Sequence, residues 1–283
     1  MVDYTELRDA RPHEWSVRGD EWISVTAHCT QCAADLIVGV RNLNSHWPDE
    51  AGALNTRELS GLADAYGTAG LTCKNVASTL HALADAASRA QSDLQWALAN
   101  AQANGLTVTD NGEVTGPRDK SWQISETSAR INNAVAAATR ADQDAAGTLN
   151  SFTSQVGSTS PAPGDPPGAH YPDAQIQAGA VNATGTQLVN LANDAQTANS
   201  KLLANSEIGM QMVPSYYDAS GNDKWASTVA LGFCAYRWHQ HLDGLVSRLS
   251  AVGSGVTASA KNYDAADQEA ASLLNSVFTD MKK

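Results

Sequence analysis

Two cysteines separated by two residues, Cys29 and Cys32, form a CxxC motif, the spacing found in zinc sites and in thiol–disulfide oxidoreductases. A zinc site would need two further thiolates or imidazoles within reach, and a redox CxxC usually lies at a helix N-terminus beside a sheet. Here the motif falls in the middle of a helical pattern, on its apolar face. We therefore expect no metal at this motif.

A third cysteine, Cys73, lies on the next predicted helix. Cys29 precedes the end of the first helix, at His46, by nearly as many residues as Cys73 follows the start of the second, at Leu54. In an antiparallel hairpin these positions differ in level by about 3 Å, roughly two residues. Cys29 or Cys32 could therefore face Cys73, either as a disulfide or as buried free thiols. An exported chain would favour the disulfide, and a cytoplasmic chain the thiols.

Two histidines, His239 and His241, lie close to Asp243 and could suggest a ligand cluster. Residues two apart on a helix do not share a face, so the two imidazoles cannot bind one ion. We interpret His239 and Asp243 as a solvated or core-edge pair. The sequence contains no GxSxG, no HExxH, no phosphate-binding glycine loop and no nucleophile at a recognisable spacing from a base. It therefore predicts neither an enzyme nor a cofactor.

Tyr263 and Asp267 are four residues apart near the end of the last predicted helix and so share one helix face. Two interpretations are open. Tyr263 could pack in a helix seam while Asp267 is solvated. Alternatively, the pair could be a recognition motif read by another protein.

The elements that position these residues are long helices, whose apolar side chains recur in steps of three and four residues. Pro48 ends the first helix and Gly105 is a plausible C-cap of the second. Asn111 and Gly112, between two β-prone runs, predict a small β-hairpin near 106–115. The fold class is all-α: two antiparallel long-helix hairpins packed as a bundle, the first with an extra third helix. The five helices are predicted at about 19–46, 54–104, 121–156, 173–208 and 224–278.

Proline, glycine and serine dominate residues 157–172, where no core-facing stripe is possible. This composition predicts a linker. It separates a helical domain at 1–156 from a second hairpin domain at 173–283.

The surface charge is acidic: 18 basic and 30 acidic residues give a formal net charge of −12. Such a surface repels nucleic acid and anionic membranes. We find no run of 18 apolar residues and therefore expect no membrane-spanning segment. The polar N-terminus lacks the apolar region of a cleavable signal peptide. These features predict a cytoplasmic protein or one exported by another route.

Three stretches resemble the helical-hairpin proteins of type VII (ESX) secretion. The N-terminal half resembles the WXG family in "HWPDEAGALNTRELSGLADAYGTAG" and "ALANAQANGLTVTDNGEVTG". The C-terminal half is similar to the EspC-like secreted family in "ALGFCAYRWHQHLDGLVSRLSAVGSGVTASAKNYDAADQEAASLL". Trp47 is followed by Pro48 and Asp49 where the family has Trp-x-Gly, with Gly52 three residues later, and Trp225 also lacks the glycine. The YxxxD motif of the secreted family is intact at Tyr263 and Asp267.

The resemblance implies a fused pseudo-heterodimer of hairpins that acts as a non-enzymatic type VII secretion substrate or targeting partner. Tyr263 and Asp267 would be the secretion signal, read by a secretion ATPase or coupling protein. Trp47 and Trp225 are the candidates for the hairpin-turn tryptophan of a composite signal. The protein would be cytoplasmic before export and then secreted or cell-surface, and a small helical secreted protein or a toxin would be a further partner. The alternatives are a cytoplasmic helical scaffold or adaptor, and a delivery module for a separately encoded toxin.

Overall fold

The computed structural model describes residues 1–156, 176–216 and 225–280, and for 201–216 and most residues after 269 it describes only the backbone. It is 89% helical, with six helices and a two-stranded sheet among the described residues, which confirms the predicted all-α class. The elements are α1 (Tyr4–Arg8), α2 (Pro12–His46), α3 (Glu50–Ala103), β1 (Thr107–Val108), β2 (Val114–Thr115), α4 (Ser121–Gln155), α5 (Ala178–Tyr216) and α6 (Ala226–Asp280).

Several helix boundaries differ from those predicted from the sequence. The short helix α1, which periodicity did not predict, is stabilised at its N-terminus by a capping box between Asp3 and Glu6. The helix α2 starts at Pro12, a residue favoured in the first helical turn, instead of near residue 19. The helix α5 continues to Tyr216, beyond the end predicted near residue 208. The start predicted for this helix, at 173, lies outside the described residues.

The predicted β-hairpin is confirmed between α3 and α4. Its two strands are antiparallel, with Thr107 opposite Thr115 and Val108 opposite Val114. Gly105, two residues after α3, and Gly112 in the hairpin loop have positive φ angles of 65° and 80°. Glycine adopts this left-handed conformation without the steric cost that a Cβ imposes.

The helices form two compact units that are not consecutive in sequence. Unit 1 comprises Met1–Val25, Thr72–Gly157 and Lys201–His239, and unit 2 comprises Thr26–Leu71, Ser158–Ser200 and Gln240–Lys283. These units differ from the domains predicted at 1–156 and 173–283, because α2, α3, α5 and α6 each contribute one part to each unit. The linker predicted at 157–172 lies outside the described residues.

Unit 1 is organised around the start of α6. The ring of Trp225, directly before this helix, lies 4.6 Å from that of Trp15 on α2, centroid to centroid. The buried carboxylate of Asp142 on α4 accepts hydrogen bonds from the backbone N–H groups of Ala226 (2.9 Å) and Ser227 (2.8 Å). Two N–H groups of the first turn, which have no acceptor within their own helix, are thus satisfied by a neighbouring helix.

In unit 2, α5 and α6 approach closely at glycines. A Cβ built on Gly185 would lie 2.4 Å from Thr257 Oγ1 and 2.8 Å from its backbone N, and one on Gly253 would lie 3.0 Å from the Leu188 Cβ. Larger residues at these positions would force the two helices apart. The core of unit 2 includes six fully buried aliphatic side chains: Leu36, Leu43, Leu59, Leu62, Leu249 and Val256.

None of the four cysteines forms a disulfide in the structure, and all four are buried. Cys29, Cys32 and Cys73 are unbridged in the structure, and the choice between a disulfide and buried thiols stays a prediction. Burial raises the pKa of Cys32 to about 12, so this thiol stays protonated at neutral pH. A protonated thiol is a poor nucleophile and a poor metal ligand.

Among the described residues, α2 is the one helix whose length and composition would allow it to cross a membrane. Its most apolar 18-residue window has a mean hydropathy of 1.3, and 28% of that window is buried in the protein. Core helices of soluble proteins meet the same criteria. The expected absence of a membrane-spanning segment therefore stays a prediction.

Candidate functional site

The candidate site is built on the turn between α2 and α3. Trp47 continues the hydrogen bonding of α2, donating its backbone N–H to the Leu43 oxygen at 2.8 Å, and Pro48 then ends the helix. Asp49 precedes α3 and caps it, since its Oδ1 accepts the backbone N–H of Gly52 at 2.8 Å. A residue directly before α5 also holds the turn, because the backbone N–H of Gln177 donates to the His46 carbonyl oxygen at 2.9 Å.

Tyr263 of α6 joins this turn. Its hydroxyl donates a hydrogen bond to Asp49 Oδ2 at 2.8 Å. Its ring lies edge-on to the indole of Trp47, with 6.2 Å between the ring centroids and 80° between the planes. Edge-to-face packing of this kind is a favoured arrangement of two aromatic rings. The structure thus brings together one residue of the YxxxD motif and one of the two candidate tryptophans.

Gly52 is required by the same turn. A Cβ at this position would lie 1.9 Å from the Trp47 carbonyl oxygen and 2.8 Å from its Cγ. The first of these atoms is backbone and cannot rotate away. The chain therefore folds back on Trp47, which is 1% exposed, only because residue 52 has no side chain.

The second residue of the motif, Asp267, faces solvent one turn after Tyr263. Tyr263 itself is half-buried, less than its position on the predicted seam suggested, whereas the other residues of 261–269 are exposed. Tyr263 is less exposed than its neighbours because its side chain contacts Trp47 and Asp49 of the α2–α3 turn. Tyr263 is therefore held against the turn, whereas the exposed Asp267 is accessible to a partner protein.

The other candidate tryptophan, Trp225, has a different environment. It lies in unit 1, 4% exposed and packed on Trp15, at the N-terminal end of α6. Its contacts stabilise the start of α6. Of the two tryptophans, Trp47 is therefore the one in contact with the YxxxD motif.

Asp49 and Gly52 were not among the site residues predicted from sequence. An aspartate directly before a helix is a recognisable N-cap signal, which could have identified Asp49 as structural. The hydrogen bond to Tyr263 has no local signal, because 214 positions separate the two residues.

The hydroxyl of Tyr263 provides a titration test of the contact. Partial burial raises the pKa of this phenol above its ordinary value of 10.0, and Asp49 raises it further by accepting its hydrogen bond and by its charge, while the Trp47 N–H lowers it. Because the folded-state pKa lies above the unfolded one, the stabilisation is fully present below pH 10 and is lost as the pH rises through the folded-state pKa.

We expect the difference between the near-ultraviolet absorbance titrations of the wild type and Tyr263→Phe to show one tyrosine that ionises above pH 10. Asp49→Ser should move this transition back towards 10, since the carboxylate is gone. If the difference titration instead shows a tyrosine that ionises at its ordinary pKa of 10.0, the contact with Asp49 is contradicted.

Among the described residues, no group of three His, Cys, Asp or Glu side chains could hold a metal ion. Burial lowers the pKa of His241, which favours its neutral form. A groove of about 460 Å³ between α3 and α4 is lined by Asp93, Trp96, Arg130, Asn133 and Ala134, with no thiol, hydroxyl or imidazole among them.

Comparison with known proteins adds no assignment: no protein-family model, curated protein or solved structure matches the chain at a significant level. The residues around Trp47 and Tyr263 therefore provide the evidence on function. Their contacts are the observations on which this evidence depends.

Proposed function

We propose that the chain is a non-enzymatic type VII (ESX) secretion substrate or targeting partner, exported without a cleavable signal peptide. Its signal is composite: Tyr263 and Asp267 on α6, together with Trp47 at the α2–α3 turn. The observation that carries the proposal is the packing of Tyr263 on Trp47, with its hydroxyl bonded to Asp49. The resemblance to hairpin proteins of this pathway predicts a contact between the turn that carries Trp47 and the segment that carries the YxxxD motif.

The receptor is a secretion ATPase or coupling protein that reads one face of α6. Asp267 presents an exposed carboxylate on this face, and the half-buried ring of Tyr263 lies one turn before it. A partner with a basic side chain opposite Asp267 and an apolar contact for the tyrosine ring would fit this pair. Charge-assisted hydrogen bonds to the carboxylate would add specificity.

A second candidate function, a cytoplasmic helical scaffold or adaptor, is favoured by a different observation. Four large apolar side chains in the described part of unit 2 are exposed: Ile37 and Val38 on α2, and Leu54 and Leu71 on α3. Exposed apolar side chains on helices suit a helical partner. Under the first proposal that partner is a small helical secreted protein or a toxin, and under the second it is a cytoplasmic protein.

Export of point variants tests the proposal. Asp267→Ala should abolish or strongly reduce export and should leave helicity and melting unchanged, because the side chain is exposed. Tyr263→Ala should also stop export, with a stability loss of about 1 kcal/mol from its hydrogen bond. The measurement is the amount of protein in culture filtrate and in cells, by immunoblot, in hosts with and without an ESX system.

Asp264→Ala is the matched control, an exposed aspartate on the same turn of α6. It should be exported like the wild type. Normal export of both motif variants would refute the signal. A wild-type chain retained in a host with a working ESX system would favour the scaffold function.

A further inference from the structure

One carboxylate, that of Asp49, makes two hydrogen bonds that join distant parts of unit 2. Its Oδ1 accepts the N–H of Gly52 in the first turn of α3, and its Oδ2 accepts the hydroxyl of Tyr263, both at 2.8 Å. The first bond exists only when α3 has begun at its observed residue. The second exists only when α6 lies against the turn. Asp49 therefore connects the folding of the turn to the placement of α6.

We propose that Asp49 is the positioning residue of the export signal. Through Tyr263 it fixes the segment of α6 that carries Asp267, so that the signal is presented only when the α2–α3 turn is folded. The partner thus recognises a folded hairpin pair and not a linear YxxxD sequence. The recognition step rests on the proposed function, whereas the positioning step stands on the two hydrogen bonds.

The placement of α6 at this level depends on few contacts. Ala260 is the last residue of α6 described as buried, and 264–269 are exposed. Tyr263 is the last described residue of α6 with a hydrogen bond to another helix or turn. The edge-on contact with Trp47 restricts the ring less than a directional hydrogen bond to a charged acceptor. Loss of the Asp49 contact should therefore loosen the segment around Asp267.

The chemistry of the carboxylate allows its two roles to be separated. An aspartate has two acceptor oxygens, one for each donor, whereas a serine hydroxyl at an N-cap has one oxygen to offer. Serine is nevertheless a good N-cap, so Asp49→Ser should keep the bond to Gly52 and lose the bond to Tyr263. Tyr263→Phe removes the same bond from the other side. Glu50→Ser, at the neighbouring exposed acid, is the matched control.

Hydrogen exchange of the purified full-length chain tests the positioning role. In Asp49→Ser and in Tyr263→Phe, we expect amide exchange of residues 261–269 to accelerate about tenfold, the effect of one charge-assisted hydrogen bond. Exchange at the start of α3 should stay within error of the wild type, and the melting temperature should fall by no more than about 2–4 °C, the effect of losing one hydrogen bond. Amide exchange in the double variant should be no faster than in either single variant, since both substitutions remove the same hydrogen bond. Unchanged exchange at 261–269 in Asp49→Ser would overturn the proposal.

Export of the same variants separates this inference from the proposed function. We expect Asp49→Ser and Tyr263→Phe to be exported several-fold less than Glu50→Ser. If Asp267→Ala is retained while Asp49→Ser is exported normally, the signal exists but Asp49 does not position it, and the inference fails. If Asp267→Ala is exported normally, the proposed function fails, and the exchange data still decide whether Asp49 holds α6.

Discussion

Asp142→Ala should lower the free energy of unfolding by about 3 kcal/mol, which for a chain of this size lowers the melting temperature by roughly 6–12 °C. The carboxylate of Asp142 is 1% exposed and accepts the N–H groups of Ala226 and Ser227. Alanine would leave both donors without this acceptor, at the buried Ser227 and the half-buried Ala226. Each unsatisfied buried group costs about 1–3 kcal/mol.

Asp144→Ala is the matched control, because Asp144 is an exposed aspartate two positions further along the same helix. It should leave the melting temperature within about 2 °C of the wild type, as is usual for surface substitutions. Asp142→Asn keeps one carbonyl oxygen and should fall between the two. Thermal unfolding followed by circular dichroism measures all three. Equal melting of the Asp142 and Asp144 variants would show that the carboxylate does not hold α6.

The seam of α4 could be predicted from sequence, but the partner of Asp142 could not. Asp142 falls at a position in the run of three- and four-residue steps, where a carboxylate needs an explanation. Periodicity shows which face of a helix is buried, since it depends on residues a few positions apart. It does not show which helix packs there. The acceptor role depends on residues 84 and 85 positions away.

The same limit explains the division into units. Each long helix has a continuous apolar stripe, and nothing along the stripe marks the change from unit 1 to unit 2, which on α2 falls after Val25. The proline-rich segment at 157–172 was the strongest local signal for a boundary. Contacts between helices, and not local composition, define the units.

For the candidate site, the resemblance predicted Tyr263, Asp267 and Trp47, and the structure places Tyr263 against Trp47. Sequence left Trp47 and Trp225 as equal candidates. Their environments distinguish them, because Trp225 packs on Trp15. The residues that shape the turn, Asp49 and Gly52, could not be recognised as part of the site before its geometry was known.

Gly52→Ala is expected to have the second large effect. The added Cβ would meet the backbone oxygen of Trp47 at 1.9 Å, so the turn itself must shift. Overpacking of this kind costs typically 1–3 kcal/mol, and here it should exceed the gain of up to about 1 kcal/mol that alanine brings to a helix over glycine. A shifted turn also moves Trp47 and Asp49, the two residues that contact Tyr263.

The matched control is Gly67→Ala on the same helix, where an added Cβ meets no atom within 4 Å. With the same chemical change and no clash, this variant should be as stable as the wild type or more stable by up to about 1 kcal/mol. Melting temperature and tryptophan fluorescence compare the two. Gly52→Ala should melt lower, expose Trp47 to water and, as a consequence of losing the Tyr263 contact, be poorly exported. If both alanine variants melt and fluoresce alike, the chain does not fold back on Trp47 at residue 52, and the anchoring of Tyr263 at this turn is refuted with it.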